Sequence, residues 1–541
     1  MMIWTSRIFG MLALLDAVGI LYLIVAGFPP EIAGYEIHLK NLRKPFIVFF
    51  VFVALHWMVH PDRKIKIAQW LQRIRIFSEK PYAIWILFMV YGLLFVWQQM
   101  TEYLALDINF IPFGFYDYML YYLFQGKLNY TGELHGFYHA NNILILLAPI
   151  WYLFRSPMVL VLAHGMIAAA AVLPLYGIVR LKFHDPVLGL VIAFVYLNFR
   201  YLQNLLQMNF CVEIFYPLLI FASLWSAMKE RWFLYTVCVI LGLSVKEDSP
   251  IYFSMLGCLL CFLSRKRVAG FLTILFAAVY FLFIFRIFLP ATGNDIATGD
   301  LQNFGRYGNS FAEVGWNLIR NPVWGLEALF GSPDKWETWF NLLSRLVFLP
   351  VLSPAILLVG GSLFLLFFRG DVSFIDLRFQ YSAAVIPFVF IAFVFGFSNV
   401  LRRIPERWRS QFSWGICLAL ILINGGHFTT TRFRADDLRT IALAKSIPQG
   451  ANVVTHGHLL PYIGYRKYNY YFARPWENKN QSLHAAYAKA DYYLIDFHVN
   501  LYPLNREDLE ATVLRLKNDA DYETVIENAG TQYLFRKKQM A

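Results

Sequence analysis

Charge is scarce in this sequence. Of 541 residues only 15% are Asp, Glu, Lys or Arg, against about 25% in an ordinary soluble domain. That scarcity argues against a water-soluble globular chain. Cysteine is scarce too, and Cys211, Cys238, Cys258, Cys261 and Cys417 all lie in or beside apolar segments. None has zinc-ligand spacing, so they read as small buried hydrophobes rather than a metal module. No internal repeat or low-complexity tract is present. The first apolar run lacks a small-residue cleavage site, so it reads as a retained span and not a signal peptide. The C-terminal region has no glycine-rich phosphate loop and no nucleophile elbow, and no catalysis is assigned to it.

Apolar and aromatic residues fill the gap. The chain is 58% hydrophobic, with 51 Phe, 32 Tyr and 15 Trp. A soluble fold could hardly cover that surface, whereas lipid can, and Tyr and Trp suit the bilayer interface. The formal charge of +12 sits in short clusters between apolar runs. It therefore orients a membrane protein and does not point to nucleic acid. Thirteen apolar runs are candidate spans: 8–27, 46–60, 82–99, 157–179, 186–199, 214–228, 232–245, 249–263, 268–289, 339–351, 354–369, 382–399 and 411–427. The run 143–154 reads as a short span or an interfacial helix.

The predicted fold is an all-α polytopic membrane protein of about thirteen transmembrane helices with a small C-terminal α/β domain. Residues 1–80 form a two-span addition and a basic loop, 81–428 the transmembrane domain, and 429–541 the soluble domain. Basic clusters at 61–80, 229–231, 265–267 and 402–409 fall on one side of such a model. That puts the N-terminus in the cytoplasm. The loops 100–142 and 290–338 and the C-terminal domain then lie outside.

Ionisable residues beside apolar spans are costly and usually functional. Lys246-Glu247-Asp248 is the clearest group, read as a site where Lys246 meets a phosphate and the acids shape the pocket. Asp117, in Gly114-Phe115-Tyr116-Asp117-Tyr118, reads either as a general base for a sugar hydroxyl or as a helix cap or loop acid. Asp107 shares that ambiguity with less context. Glu213 enters an apolar segment and calls for a partner. Arg378, Gln380 and Tyr381 stand at another outer helix start, where Arg378 could pair with an anionic head group; Arg306 and Arg320 could do the same but look like ordinary loop arginines. His135 and His139 lie four apart, but Gly136 argues against a regular helix. His139 therefore reads as a hydrogen-bonding group for substrate or for the neighbouring loop, and no residue set reads as a metal site.

Together these segments resemble a bacterial and archaeal family of predicted membrane proteins, the domain-of-unknown-function family numbered 2079. The resemblance rests on Gly114 to Asp117, the aromatic run from Tyr121 to Gly126, His139 to Pro149, Phe210 to Glu213, Val245 to Asp248, and Tyr381 to Pro387. Two departures stand out. Pro112 occupies a position where the family often has Asp, and Cys211 one where it usually has His. These changes point to an altered substrate, or to reduced or lost activity. The family looks like a distant relative of the GT-C glycosyltransferases. That resemblance implies a prokaryotic plasma-membrane enzyme that moves a sugar from a polyprenyl-phosphate donor to an acceptor outside the cytoplasm. It implies Asp117 as the catalytic residue, with Lys246, Glu247, Asp248, Glu213, His139, Arg378 and Tyr381 holding substrate. The partners implied are membrane lipid and the lipid-linked donor, and a divalent metal stays open. The alternatives are a non-catalytic scaffold with an outer binding domain, or a lipid or solute transporter.

Overall fold

A computed structural model describes residues 2–27, 31–32, 35–36, 39, 41–108, 110–124, 139–291, 307–368, 372–464, 469–471, 490–499, 501, 505–528 and 530–538. The chain is mostly helical, with a small C-terminal sheet.

Each of the thirteen apolar runs becomes helical in whole or part, but thirteen spans do not result. Among the described residues, five helices are long and apolar enough to cross a membrane: Trp4–Ala26, Tyr82–Leu104, Met158–Phe183, Arg267–Ala291 and Val385–Arg403. A sixth arises if Pro186–Leu197 and Arg200–Leu206, bent by 48°, count as one span. The correction follows from length. Trp232–Leu243 and Ile356–Phe367 are 12 residues long and Ser249–Phe262 is 14. At about 1.5 Å per residue such helices reach roughly 20 Å, well short of a hydrocarbon core of about 30 Å. The run 339–351 breaks because the helix Pro333–Ser344 ends and Val347 and Phe348 turn with positive φ.

Three expected loops contain helices among the described residues. The basic stretch 61–80 forms the exposed helix Arg63–Glu79. The stretch 100–142, expected outside, completes the helix Tyr82–Leu104 and then forms Phe110–Phe124. Likewise 290–338 contains Phe311–Arg320 and Pro322–Phe330.

The innermost helix is Val385–Arg403, in which every residue from Val385 to Ser398 is buried. A helix apolar all round belongs in the centre of a bundle. Gly396 allows its tightest contact, since a Cβ there would lie 2.0 Å from the Leu349 carbonyl oxygen. The N-terminal helix instead turns Trp4, Met11, Leu14 and Leu21 outward. It pairs with Arg43–Val59, where the ring Nδ1 of His56 lies 2.6 Å from the Ser6 carbonyl.

The C-terminal sheet has five strands in the spatial order Asn469–Tyr471, Val453–Thr455, Tyr492–Asp496, Gln532–Lys537, Tyr522–Asn528. The first three run parallel and the last two close as an antiparallel hairpin. Helices Ala435–Ser446 and Arg506–Asn518 accompany it, and Asn505 caps the second by accepting from the Asp508 N–H at 2.8 Å. The chain Gly457–Tyr462 packs back on Phe110–Phe124, and the Tyr462 hydroxyl donates to the Tyr103 carbonyl.

Candidate functional site

Short helices create the site by ending early. Trp232–Leu243 stops before Lys246, and Ser249–Phe262 restarts with Pro250 in its first turn. Pro needs no N–H partner there. The three charges between them are thus held on a tight turn inside the protein. Two other segments dock on that turn. The Ile143 N–H donates to the Ser244 carbonyl at 2.8 Å, which brings His139 alongside. Glu213 arrives from the 3-10 turn Val212–Ile214, which leads into the helix Phe215–Met228.

A charge network results. Lys246 Nζ lies 2.7 Å from Glu213 Oε1. His139 Nδ1 lies 2.5 Å from Glu247 Oε1, and the Ala140 N–H donates to Glu247 Oε2 at 3.0 Å. Asp248 accepts from the Tyr216 hydroxyl, and from that of Tyr252 at 3.4 Å. The two neighbouring acids are pushed apart. Burial raises the pKa of Glu247, but His139 and Lys246 outweigh it and hold the carboxyl at about 2. Burial raises Asp248 above the usual range, and Lys246 only partly opposes it. Lys246 is penalised by burial, yet Glu213, Glu247 and Asp248 hold it firmly protonated.

The network forms the polar end of a cavity of about 940 Å³. Its apolar wall comes from three further places: Ile251, then Phe281 and Phe285, then Leu365 and Leu366. Two polar atoms at the charged end keep valences unspent among the described residues. Glu213 Oε2 is buried with no hydrogen-bond partner among the described residues. Lys246 Nζ has three donors and spends one on Glu213.

Of the residues expected to hold substrate, His139, Glu213, Lys246, Glu247, Asp248 and Tyr381 line this cavity. Arg378 does not. It pairs with Asp376 at 2.7 Å in a separate polar cavity of about 490 Å³, beside Arg200, Asn204 and Gln207. Asp117 is not among the lining residues either. It is 3% exposed, and the Trp151 indole N–H donates to it at 2.9 Å. The helix Phe110–Phe124 buries that face against the short helices Asn142–Leu146 and Ala148–Phe154. Its neighbour Tyr116 is the residue within electrostatic reach of Glu213 and Lys246. The cavity thus brings the Lys246 turn and Glu213 together, and Asp117 is not among the residues that line it.

Asp107 follows the end of Tyr82–Leu104 and lines neither cavity. Arg320 ends a helix and lies over the Trp316 ring at 4.9 Å. Cys211 is buried, its sulfur 3.9 Å from His164 Nε2. His135, Arg306 and the side chain of Pro112 lie outside the described residues. Among the described residues, no three of His, Cys, Asp and Glu converge to hold a metal ion.

Gln380, named with Arg378 and Tyr381 at a helix start, also lines the cavity. Sequence reasoning missed Tyr216 and Tyr252, and the signal for both was present. Tyr252 lies four residues beyond Asp248, the spacing of helical neighbours, and Tyr216 lies three beyond Glu213.

The chain matches the family described as "Predicted membrane protein (DUF2079)" across residues 106–532. No curated protein matches it. The N-terminal helix pair precedes the matched region, which contains every residue lining the large cavity.

Proposed function

The chain belongs to the DUF2079 family of membrane proteins, and we propose that it is a membrane glycosyltransferase using a polyprenyl-phosphate sugar. The observation that carries this reading is the two-ended cavity. Its charged end keeps a buried acceptor, Glu213 Oε2, with no hydrogen-bond partner among the described residues, and most of its remaining wall is apolar. Such a shape fits an amphiphile with a polyhydroxylated, singly or doubly anionic head. Unsatisfied buried acceptors are costly, and a sugar hydroxyl would relieve this one. The remaining Lys246 donors suit a phosphate oxygen. The isoprenoid tail would lie against Phe281, Phe285 and Leu365.

The base is reassigned from Asp117 to Asp248. Neighbouring carboxyls driven in opposite directions mark different roles. Glu247, held low by its partners, stays an ion and steadies His139 and Lys246. Asp248, held high and facing the cavity, takes the proton. The acceptor oxygen attacks the anomeric carbon as its proton passes to Asp248. The bond from that carbon to the phosphate oxygen breaks, and polyprenyl phosphate leaves with the electron pair beside Lys246. We place this end of the cavity and the C-terminal domain outside the cytoplasm, following the basic clusters.

The test is sugar transfer from a radiolabelled polyprenyl-phosphate sugar in membranes containing the full chain. Wild type is expected to transfer. Asp248→Asn is expected to slow turnover by about 10²- to 10⁴-fold while donor binding persists. Full activity of that variant would remove Asp248 as base. Absence of both transfer and donor binding in wild type, across donors, would overturn the enzyme reading and favour the scaffold.

A further inference from the structure

A second built feature lies at the other end of the helices that form the cavity. Ala277 to Phe285 line the cavity, whereas Arg267 to Phe276 of the same chain stretch line a groove of about 590 Å³. Trp232, Tyr235 and Val239 form its opposite wall. Leu272 and Phe276 make the near wall apolar, and both are exposed. The floor is fixed where the Tyr235 hydroxyl and the Thr273 Oγ1 meet at 2.5 Å.

The rim of this groove is basic. Arg265, Lys266 and Arg267 stand there in succession. Lys266 is partly spent on Glu230. Arg265 and Arg267 make no ion pair with any described residue. Their placement is rigid for a stated reason. Ser249–Phe262 and Arg267–Phe283 press backbone to backbone, since a Cβ at Gly270 would lie 2.5 Å from the Gly257 carbonyl oxygen. The Lys266 N–H also ties the turn to the Leu260 carbonyl at 2.8 Å. Two uncompensated guanidinium groups therefore sit where an apolar groove opens, at the start of a helix long enough to cross the bilayer.

We propose that this groove binds an anionic phospholipid of the surrounding bilayer, its phosphate on Arg265 and Arg267 and one acyl chain between Trp232 and Leu272. Charge complementarity selects the occupant. A zwitterionic lipid would bring its own cation to the same rim, while an anionic head group meets two unpaired positive charges. This site is separate from the cavity and does not depend on the enzyme reading.

Native mass spectrometry of the full-length protein in detergent tests it, with phosphatidylglycerol and phosphatidylcholine of equal chain length added in turn. Wild type is expected to retain phosphatidylglycerol on the order of ten-fold more tightly. Arg265→Gln with Arg267→Gln is expected to erase that preference. Arg402→Gln with Arg403→Gln removes as much charge from another basic cluster and is expected to preserve it. Leu272→Trp, which fills the groove and keeps the rim, is expected to weaken both lipids and serves if the double variant fails to fold. Equal affinity of wild type for the two lipids would overturn the proposal. So would an unchanged preference in the Arg265 and Arg267 variant, or an equal loss in the Arg402 and Arg403 control.

Discussion

Asp117 and Asp248 look alike in the sequence. Each is an acid beside apolar runs with a tyrosine close by, though Asp117 reads as a base and Asp248 as an acid that shapes the pocket. In the fold they part. Asp248 sits on a turn between two helices that stop short, so its carboxylate faces a cavity and shares it with Lys246, Glu247 and two tyrosine hydroxyls. Asp117 sits within a continuous helix, and its carboxylate is closed over by Trp151 from a neighbouring segment. The difference teaches that an acid in an apolar setting becomes a site only where the backbone breaks off to leave space. Where the helix runs on, the same residue type is absorbed into packing.

Lys246 is where that contrast can be broken most severely. It is the close cation of a group holding Glu213, Glu247 and Asp248. Lys246→Met keeps the length of the side chain and removes the charge. Stripping one partner from a buried ionic network costs about 3–5 kcal/mol. A fall of that size is expected in unfolding of the detergent-solubilised protein, together with loss of donor binding. Lys246→Arg keeps the charge and is expected to recover most of the stability. If the Met variant unfolds like wild type, the turn is solvated and resembles no site at all.

Glu247 sharpens the comparison through pH. Its carboxyl is held at about 2 instead of the ordinary 4.5. A carboxyl with a lowered folded-state pKa adds stability that is fully present above the ordinary value and is lost as pH falls through the lowered one. The shift corresponds to roughly 3 kcal/mol. Wild type is therefore expected to exceed Glu247→Gln by about that much at pH 6. The gap should begin to close below about 4.5 and be gone near pH 2. Thermal unfolding across that range measures it. A gap that does not change with pH would mean that the Gln variant loses packing, not charge.

Much of this was legible from residue type and order. The composition named a membrane protein. The run Lys246-Glu247-Asp248, with Glu213 and His139, named most of the charged end of the cavity. The small C-terminal α/β unit was legible as well, and its sheet is present. Span number was not legible, because an apolar run shows that a segment avoids water and does not show whether lipid or protein covers it. The helix Ser249–Phe262 is buried at Phe253, Leu256 and Leu260 by its neighbours, so its 14 residues need not match a bilayer. Nor was the fate of Asp117 legible. The wall that closes it comes from Trp151, 34 residues away, and nothing in the local pattern of 110–124 announces that contact.

The smallest effect is expected at Asp117 itself, and it separates the two acids most cleanly. Asp117→Asn is nearly isosteric. The amide oxygen can still accept from the Trp151 indole N–H, which now meets the carboxylate at 2.9 Å. What is lost is one charge in a buried place, and removing a buried charge relieves desolvation as much as it weakens a bond. The two effects oppose each other, so stability is expected to shift by no more than about 1 kcal/mol. Transfer and donor binding are expected to stay within a few-fold of wild type, because Asp117 does not line the cavity. Measured in the same membranes as Asp248→Asn, the pair forms a decisive contrast. A loss of two orders of magnitude at Asp117, with Asp248→Asn active, would reverse the assignment. It would mean that Trp151 swings aside when substrate enters and that the wall is a gate.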